Sequence, residues 1–220
     1  MRKESRIVLV YVLGNFIPLI QILTLISIWF IEVSIACKIA IAIFWTFLVP
    51  PLLARLSFAI QGKPTGEFAE DSPEFRQWYF ISQLQVIYMR FTFLEEFLRA
   101  LPTVYNFWLR LWGAEIGSMV YWSPKTTVMD RPYLKIGRRV LIGYAAGFSS
   151  HHINRSQEKV SILIASPIVE DFAILGGLSG LSPGAVLATG ETLPSTFGLA
   201  PFYIWKNGRK YSLKSMPSHD

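Results

Sequence analysis

Two adjacent histidines, His151 and His152, are the residues of this chain best suited to acid–base chemistry. Histidine is the side chain whose unperturbed pKa lies close to neutral pH, so it can remove a proton from an attacking hydroxyl or amine. Neighbouring side chains point in different directions, and we therefore expect only one of the two to act as a general base. We favour His151, which follows Phe148 by three residues. The alternative is that both are ordinary polar loop residues.

A general base needs a second polar group that holds its ring in a fixed orientation. Four side chains are candidates, and the sequence does not rank them: Asp130, Asn154, Glu170 and Asp171. Glu170 and Asp171 fit equally well as ordinary corner residues. A zinc site is not expected, because histidine-ligated zinc of this kind needs three separated histidines. The chain has only the adjacent pair and His219 in a polar tail.

Apolar residues recur at intervals of six in the second half of the chain, and this period organises the region around the histidines. Six residues match neither the helix period of about 3.6 nor the two-residue alternation of a strand. The spacing predicts a β-coil with three flat faces, one inward apolar residue on each face and a tight corner beside it. The series includes Leu163, Val169, Leu175, Leu181, Leu187 and Leu193.

The period fails at the histidines. Phe148 and Leu163 are fifteen residues apart, which is not a multiple of six, and the polar segment His151–Lys159 lies between them. We expect this segment to loop out of the coil and to carry the function, because polar loops on rigid scaffolds often do. The stretch from Tyr121 to Leu134 also follows the repeat poorly, which predicts distorted first turns.

Several segments of the repeat resemble the hexapeptide-repeat acyltransferases. Ile142–His151 is similar to the stretch that leads to the catalytic histidine of that family, and Leu175–Ala185 is similar to its apolar-glycine repeats. Gly198–Pro201 with Trp205–Lys210 is similar to the family's exit from the coil, with alanine and proline in the opposite order. The resemblance covers about Ala114–Lys210. It implies a left-handed parallel β-helix, a homotrimer with sites at subunit boundaries, and acetyl-CoA or another acyl-CoA as the donor.

Further site residues follow from the acyl-transfer chemistry that this resemblance implies. Backbone N–H groups of Gly176, Gly177 or Ser179 are candidates to stabilise a tetrahedral oxyanion. A basic group near the C-terminus is suited to the phosphates of coenzyme A or, equally, to anionic lipid headgroups. It comprises Lys206, Arg209 and Lys210.

Two apolar runs near the N-terminus predict a helical hairpin that crosses a membrane. Residues 7–31 contain no charged side chain, and about 25 residues make roughly 37 Å of helix, enough to span a bilayer core of about 30 Å. A second run, residues 39–54, ends near a kink expected at Pro50 and Pro51. A signal peptide is one alternative, but its apolar core would be shorter and a cleavage site would follow. A pair of buried core helices is the other.

The flanking charges predict how this hairpin is oriented. Arginines and lysines precede the first run and follow the second, so the positive-inside rule places both ends in the cytoplasm. We therefore expect a protein of the cytoplasmic (inner) membrane whose catalytic domain faces the cytoplasm. The net charge of +6 with only 16% charged residues favours an anionic membrane surface over nucleic acid as the partner. The flanking residues are Arg2, Lys3, Arg6, Arg55 and Lys63.

The segment between hairpin and coil is dense in aromatic residues with arginines among them. Ser72-Pro73-Glu74 predicts a capped helix start, and Pro102 should divide the segment into two helices. Rings and guanidinium groups of this kind are typical of the membrane interface, so we expect amphipathic helices that lie partly in it. The alternative is that these helices pack on each other or on the coil.

The expected fold class is membrane α plus all-β, in four parts. These are a transmembrane hairpin (1–60), amphipathic helices (61–113), a left-handed β-helix (114–205) and a basic tail (206–220). We hypothesise a membrane-anchored acyltransferase that moves an acyl group, most simply acetyl, from a coenzyme A thioester to a hydroxyl or amine of a membrane-associated or amphiphilic acceptor. The non-enzymatic alternative is a membrane-anchored trimeric scaffold whose loop binds a partner.

Overall fold

The computed structural model describes residues 11–156 and 159–213. Two long apolar helical stretches come first, Tyr11–Ile28 and Ile35–Gln61, and both are long and apolar enough to cross a membrane by length and composition. The second stretch is interrupted at Leu48, two residues before Pro50, which confirms the expected kink. The regular helices are α1 (Ile17–Ile28), α2 (Ile35–Phe47) and α3 (Val49–Gln61).

Most of the apolar side-chain surface of these stretches does not pack against the rest of the chain. Only 11% of the first 18-residue window and 17% of the second are buried. Ile60, for example, is 71% exposed. The core helices of a soluble protein would be mostly buried, so this exposure separates the two stretches from that alternative.

Three further helices cover residues 73–112. The expected helix start is confirmed, because Ser72 accepts a hydrogen bond from the backbone N–H of Phe75 at 3.0 Å. Pro102 begins a new helix as expected, but a second break at Phe91 and Thr92 gives three helices instead of two. They are α4 (Pro73–Arg90), α5 (Phe93–Arg99) and α6 (Pro102–Trp112).

The large apolar residues of these helices include a set of buried aromatic rings and an exposed set that is partly aromatic. The buried rings pack edge-to-face on one another and on the first turn of the coil, as with Tyr105 against Trp122 at a centroid distance of 5.1 Å. The exposed set lies on α5, α6 and the residues that flank α5. The buried set is Trp78, Tyr88, Tyr105, Trp108 and Trp112, and the exposed set is Phe91, Phe93, Phe97, Leu101, Val104 and Phe107.

The second half of the chain forms the parallel coil that the six-residue period predicts. Twelve two-residue strands in the described residues make four turns of three strands each. Face 1 contains β2 (Glu115–Ile116), β5 (Lys135–Ile136), β10 (Ile168–Val169) and β13 (Val186–Leu187); face 2 contains β3 (Tyr121–Trp122), β6 (Leu141–Ile142), β11 (Ile174–Leu175) and β14 (Thr192–Leu193); face 3 contains β4 (Thr127–Val128), β7 (Gly147–Phe148), β12 (Gly180–Leu181) and β15 (Gly198–Leu199).

The second residue of each strand points into the coil and stacks on its counterpart in the next turn. On face 3, for instance, Val128 pairs with Phe148, which pairs with Leu181. The glycines that follow the inward residues serve the close spacing of turns. A Cβ on Gly143 would lie 2.5 Å from the backbone N of Gly177 in the next turn, so no larger residue fits there.

Two additional strand pairs extend the coil. The predicted polar loop is an antiparallel hairpin of β8 (His151–Ser156) and β9 (Lys159–Ile164), and β1 (Gly66–Ala69) adds to its free edge. The final turn ends in a second hairpin, β16 (Tyr203–Lys206) and β17 (Arg209–Ser212), which continues face 1.

The first turns are more regular than the sequence suggests. Ile116, Trp122 and Val128 are inward residues six positions apart, so the expectation of a distorted stretch from Tyr121 to Leu134 is wrong over most of its length. The irregularity is confined to a short helical turn, Arg131–Tyr133, after which Ile136 resumes the ladder. The six-residue pattern is hard to recognise here because Trp122 occupies an inward position at which the other turns of face 2 have isoleucine or leucine.

Helix α4 joins the apolar helices to the coil. The Tyr88 hydroxyl donates to the carbonyl of Thr46 in α2, and the Gln77 amide donates to the carbonyl of Gly62 at 2.8 Å. Lys63 donates to the carbonyl of Pro132 at 2.6 Å, and Arg55 donates to that of Arg110 at 2.7 Å. The helical part therefore packs as the cover of the first coil turns.

Candidate active site

A carboxylate and an imidazole meet where the coil is interrupted. Asp130 Oδ2 lies 2.7 Å from His151 Nδ1. Asp130 is only 2% exposed, whereas 23% of the His151 side chain is exposed. A carboxylate only accepts hydrogen bonds, so His151 Nδ1 carries the proton and the imidazole lone pair is left on Nε2. This is the arrangement that a general base requires.

Both residues occupy the same edge of the coil, the one at which the chain passes from face 3 to face 1. Asp130 follows β4, and His151 follows β7, its partner in the next turn. The six-residue period is lengthened at each of these corners, by the helical turn after Asp130 and by the hairpin after His151. The Ser150 backbone N–H donates to Asp130 Oδ2 at 3.0 Å and fixes one corner to the other.

Trp78 of α4 contacts both members of the pair. Its indole Nε1–H donates to Asp130 Oδ1 at 3.2 Å, and its ring lies 4.9 Å from the imidazole, centroid to centroid. Because Oδ1 is held by the indole, Oδ2 is turned towards the histidine. Trp78 is 7% exposed and covers one side of the imidazole, so a substrate can approach the ring only from its other side.

The remaining predicted catalytic residues lie on the hairpin, away from this pair. His152 and Asn154 are exposed members of β8, and strand alternation places both on the face opposite to His151. Asn154 pairs across the hairpin with Ser161. The orienting position that we considered for Asn154 is therefore filled by Asp130, another of the four candidates.

The predicted oxyanion donors lie at a different edge, where the chain passes from face 2 to face 3. The Gly176 N–H donates to the Leu193 carbonyl at 2.9 Å, and the Ser179 hydroxyl donates to the Gly176 carbonyl at 2.5 Å. Gly177 accepts from the Thr196 N–H at 2.9 Å. Within one chain these groups hold the coil together and are not brought beside His151.

The predicted basic group lies at the end of face 1. Lys206 ends β16, and Arg209 and Lys210 begin β17, all three exposed. Lys210 Nζ lies 5.0 Å from the centroid of the Tyr203 ring. Glu191 accepts hydrogen bonds from the hairpin turn and fixes it to the preceding coil turn. The three cations thus extend from a fixed hairpin into solvent.

A buried charge network stands directly behind Asp130. Arg131 is fully buried and pairs with Glu95 at 2.5 Å, and Arg99 pairs with the same carboxylate at 2.6 Å. Gln85 of α4 accepts from the Arg131 backbone N–H at 2.8 Å. The guanidinium also lies over the Tyr88 ring, 5.1 Å from its centroid. Helices α4 and α5 therefore fix the backbone on which Asp130 stands.

Burial shifts the pKa values of two titratable groups close to this corner. Desolvation raises the pKa of the Tyr133 phenol far above its usual range, and Asp130 adds to the shift. Burial also lowers the pKa of Lys63 to about 8, although its ammonium donates to backbone carbonyls. The surroundings of Asp130 are thus a low-dielectric region in which its hydrogen bonds are stronger than in water.

The sequence did not single out Trp78, Gln85, Glu95 or Arg131. Trp78 lies in a segment with many other aromatic residues, and its partner Asp130 is 52 positions away. One available signal was the lengthened interval from Val128 to Ile136, which marks the corner that holds Asp130. Among residues 11–156 and 159–213, no group of three or more histidine, cysteine or acidic residues is arranged to hold a metal.

Comparisons with known proteins give a limited result. No family model and no curated protein matches the chain. Among solved structures, it is similar to the hexapeptide-repeat acetyltransferase VCA0836 from Vibrio cholerae, with 14% identity, a TM-score of 0.39, and coverage of 60% of this chain and 93% of that one. A second structure is VCA0836 complexed with acetyl coenzyme A, from Vibrio cholerae O1 biovar eltor, at 11% identity, TM-score 0.35, and 62% and 90% coverage. Both belong to the family that the sequence resembles.

Proposed function

We propose that this chain is a membrane-anchored acyltransferase in which His151 is the general base and Asp130 orients it. The observation that carries the proposal is the 2.7 Å contact between Asp130 Oδ2 and His151 Nδ1. Burial of the Asp130 carboxylate has a desolvation cost, which the indole, the backbone N–H and the imidazole around it offset. A corner with a purely structural role would not need a buried charge. This arrangement is well suited to holding one imidazole tautomer with Nε2 free.

The reaction follows from this tautomer. His151 Nε2 accepts the proton of a hydroxyl or amine as that atom bonds to the thioester carbonyl carbon. The tetrahedral intermediate then breaks its C–S bond, and His151 returns the proton to the departing thiolate. Asp130 stabilises the imidazolium between the two transfers. Bonds and charge balance without a metal or a redox partner.

The donor is proposed to be acetyl-CoA or another acyl-CoA. Lys206, Arg209 and Lys210 support this assignment, because three exposed cations on a fixed hairpin suit the phosphates of a nucleotide thioester. In a homotrimer, as the family resemblance implies, the oxyanion donors would come from a neighbouring subunit. The N–H groups of Gly176 and Ser179 are already used by the coil, in a neighbouring subunit as in this one, so Gly177 is the candidate of the three that remains for this role.

The membrane location is proposed from the exposed apolar helices. Tyr11–Ile28 and Ile35–Gln61 leave most of their surface uncovered by protein, and hydrocarbon is the medium that such surface prefers. The basic flanks favour a cytoplasmic orientation, where acyl-CoA is available. The acceptor would then be a membrane-associated or amphiphilic hydroxyl or amine.

The proposal is tested by comparing His151→Ala with His152→Ala in the full chain. Membranes that contain each variant receive isotope-labelled acetyl-CoA, and acylated metabolites are followed by mass spectrometry. We expect His151→Ala to lower transfer by about 10²–10⁴-fold, the usual contribution of a general base. His152→Ala should leave it within about twofold, because its side chain lies on the other face of β8.

The scaffold alternative predicts a different result. A non-enzymatic protein would give no labelled product, and coenzyme A would not raise its thermal stability, since a ligand stabilises only a fold that binds it. Equal transfer by the two histidine variants would also reject the assignment of His151.

A further inference from the structure

A cavity lies on the same face of the coil as the histidine, towards the opposite edge of that face. It has a volume of about 540 Å³ and is enclosed by the end of α4, the start of α5 and strand β4. Thr127 contributes to its floor, and Met89 and Phe93 contribute to its walls. This volume falls within the range of known small-molecule sites. The acyl-transfer chemistry described above does not use it.

The charged residues of α5 that line this cavity are already engaged in ion pairs, and Lys125, the other charged residue of the lining, lies with its Nζ 5.4 Å from the centroid of the Tyr144 ring. Glu95 is bonded to Arg99 at 2.6 Å and to Arg131 at 2.5 Å, and Glu96 is bonded to Arg99 at 2.6 Å. These pairs neutralise the far wall, and a charged ligand would have to compete with them. Met89, Phe93 and the Thr127 methyl group instead offer hydrocarbon contacts, so the cavity suits an apolar ligand group.

The cavity opens onto the exposed apolar set of α5 and α6. Phe93 belongs to both, since it lines the cavity and is 66% exposed. Phe97, one helical turn further along α5, is 74% exposed. Contiguous apolar surface of this kind marks contact with a membrane or a ligand. These rings therefore offer a hydrocarbon chain an apolar route from a bilayer to the cavity.

The cavity and the catalytic pair are joined by strand β4 and its partner. Thr127 lines the cavity, and Asp130 is three residues further along, roughly 10 Å at strand geometry. On the neighbouring strand, Gly147 leads in the same direction to His151. A Cβ on Gly147 would meet nothing within 4 Å, so the outer surface of β7 is open beside Thr127, at the end of this path that adjoins the cavity.

We propose that this cavity binds the hydrocarbon tail of a membrane-resident amphiphilic acceptor, whose hydroxyl or amine then lies at His151. The tail enters from the bilayer past Phe97 and Phe93 and ends beside Thr127. The identity of the acceptor's head depends on the proposed function of His151. The binding of its tail does not, and it can be measured without any acyl transfer.

The test is photochemical labelling of the full chain in nanodiscs of phosphatidylethanolamine and phosphatidylglycerol. The probe is hexadecanol with a diazirine in mid-chain, and labelled peptides are identified by mass spectrometry. We expect labels on the peptides that contain Met89, Phe93 and Thr127. Thr127→Trp, which fills the cavity, should lower labelling there at least tenfold. A butanol-length diazirine probe should label the cavity weakly, because its short chain buries too little apolar surface to bind.

The matched control is Thr192→Trp. Thr192 is likewise the exposed first residue of a two-residue strand, but it lies on face 2. It should leave cavity labelling unchanged. Equal labelling in both variants, or labelling confined to α1–α3, overturns the inference. His151→Ala should label the cavity as strongly as the natural chain. Strong labelling with no acyl transfer would reject only the proposed function, and intact transfer with no cavity labelling would reject only the tail site.

Discussion

Two corners at the same edge of the coil are built very differently. The corner after β12, Ser182–Ala185, continues directly into β13, and the Ala185 N–H donates to the Ser182 carbonyl at 3.0 Å. Gly184 supplies the left-handed conformation, at φ +67°. The corner after β7, which pairs in register with β12, instead leaves the coil at His151 and returns after the hairpin.

The difference shows what the corner proposed to be catalytic has beyond the repeat. The regular corner is complete with its own backbone hydrogen bonds. The corner at His151 is completed by residues distant in sequence: Trp78 from a helix and Asp130 from the preceding turn. The coil therefore supplies both Asp130 and His151, and the helical cover supplies the Trp78 indole that holds the carboxylate.

The largest effect that separates a catalytic corner from an ordinary one is expected for Asp130→Asn. The amide would place an N–H group opposite His151 Nδ1, which favours the tautomer with its proton on Nε2 and removes the base. We expect kcat to fall by about 10²–10⁴-fold. The control is Asp171→Asn, an exposed corner carboxylate bonded to Arg138, which should change kcat less than about twofold. Similar losses in both variants would contradict the role of Asp130.

The next effect distinguishes the buried charges behind the site from surface charges on the coil. Arg131→Met leaves Glu95 buried with one of its two arginines, and we expect a loss of about 3–5 kcal/mol in unfolding free energy. Arg138→Met removes an ion pair whose side chains are 61% and 38% exposed, so its cost should be at most about 1 kcal/mol. Denaturant unfolding of both variants in detergent measures the difference. Equal stabilities would show that the network does not hold the corner.

The smallest effect tests the indole that joins helix and corner. Trp78→Phe keeps a ring against His151 but removes the hydrogen bond to Asp130 Oδ1, and kcat should fall about tenfold, since a hydrogen bond to a charged group contributes about 1.5–3 kcal/mol. Trp205→Phe is the control, because the Trp205 Nε1–H has no hydrogen-bond partner within the described residues. It should leave kcat unchanged. If Trp78→Phe is equally silent, the indole acts only as packing.

The sequence predicts the regular parts of this molecule far better than the irregular ones. Leu175, Leu181 and Leu187 recur at intervals of six residues, so the period can be read directly from the sequence. The broken interval after Phe148 likewise points to His151 without further information. Asp130 was one of four open candidates, because a single carboxylate near a corner carries no local pattern. Trp78 and Arg131 act across 52 and 36 residues, distances over which no periodicity links them to their partners.

The hairpin illustrates the same limit at the level of secondary structure. A polar insert that breaks the repeat indicates an excursion from the coil, but its shape depends on what it meets. Here β9 pairs with β1, a strand from residues 66–69 that the sequence assigned to no sheet. Ile162 and Ile164 become buried against Phe75 and Trp78 only through that pairing.

The positions of the two irregular corners also divide the coil into a fixed part and an adjustable part. Beyond the hairpin, paired positions such as Ile168 and Val186 are eighteen residues apart, and each turn repeats the one before it. A whole turn inserted or removed there would carry the C-terminal hairpin along the axis and leave His151 and Asp130 in place. The distance from the catalytic pair to the terminal cations is thus a quantity that evolution or an engineer can change in steps of one turn.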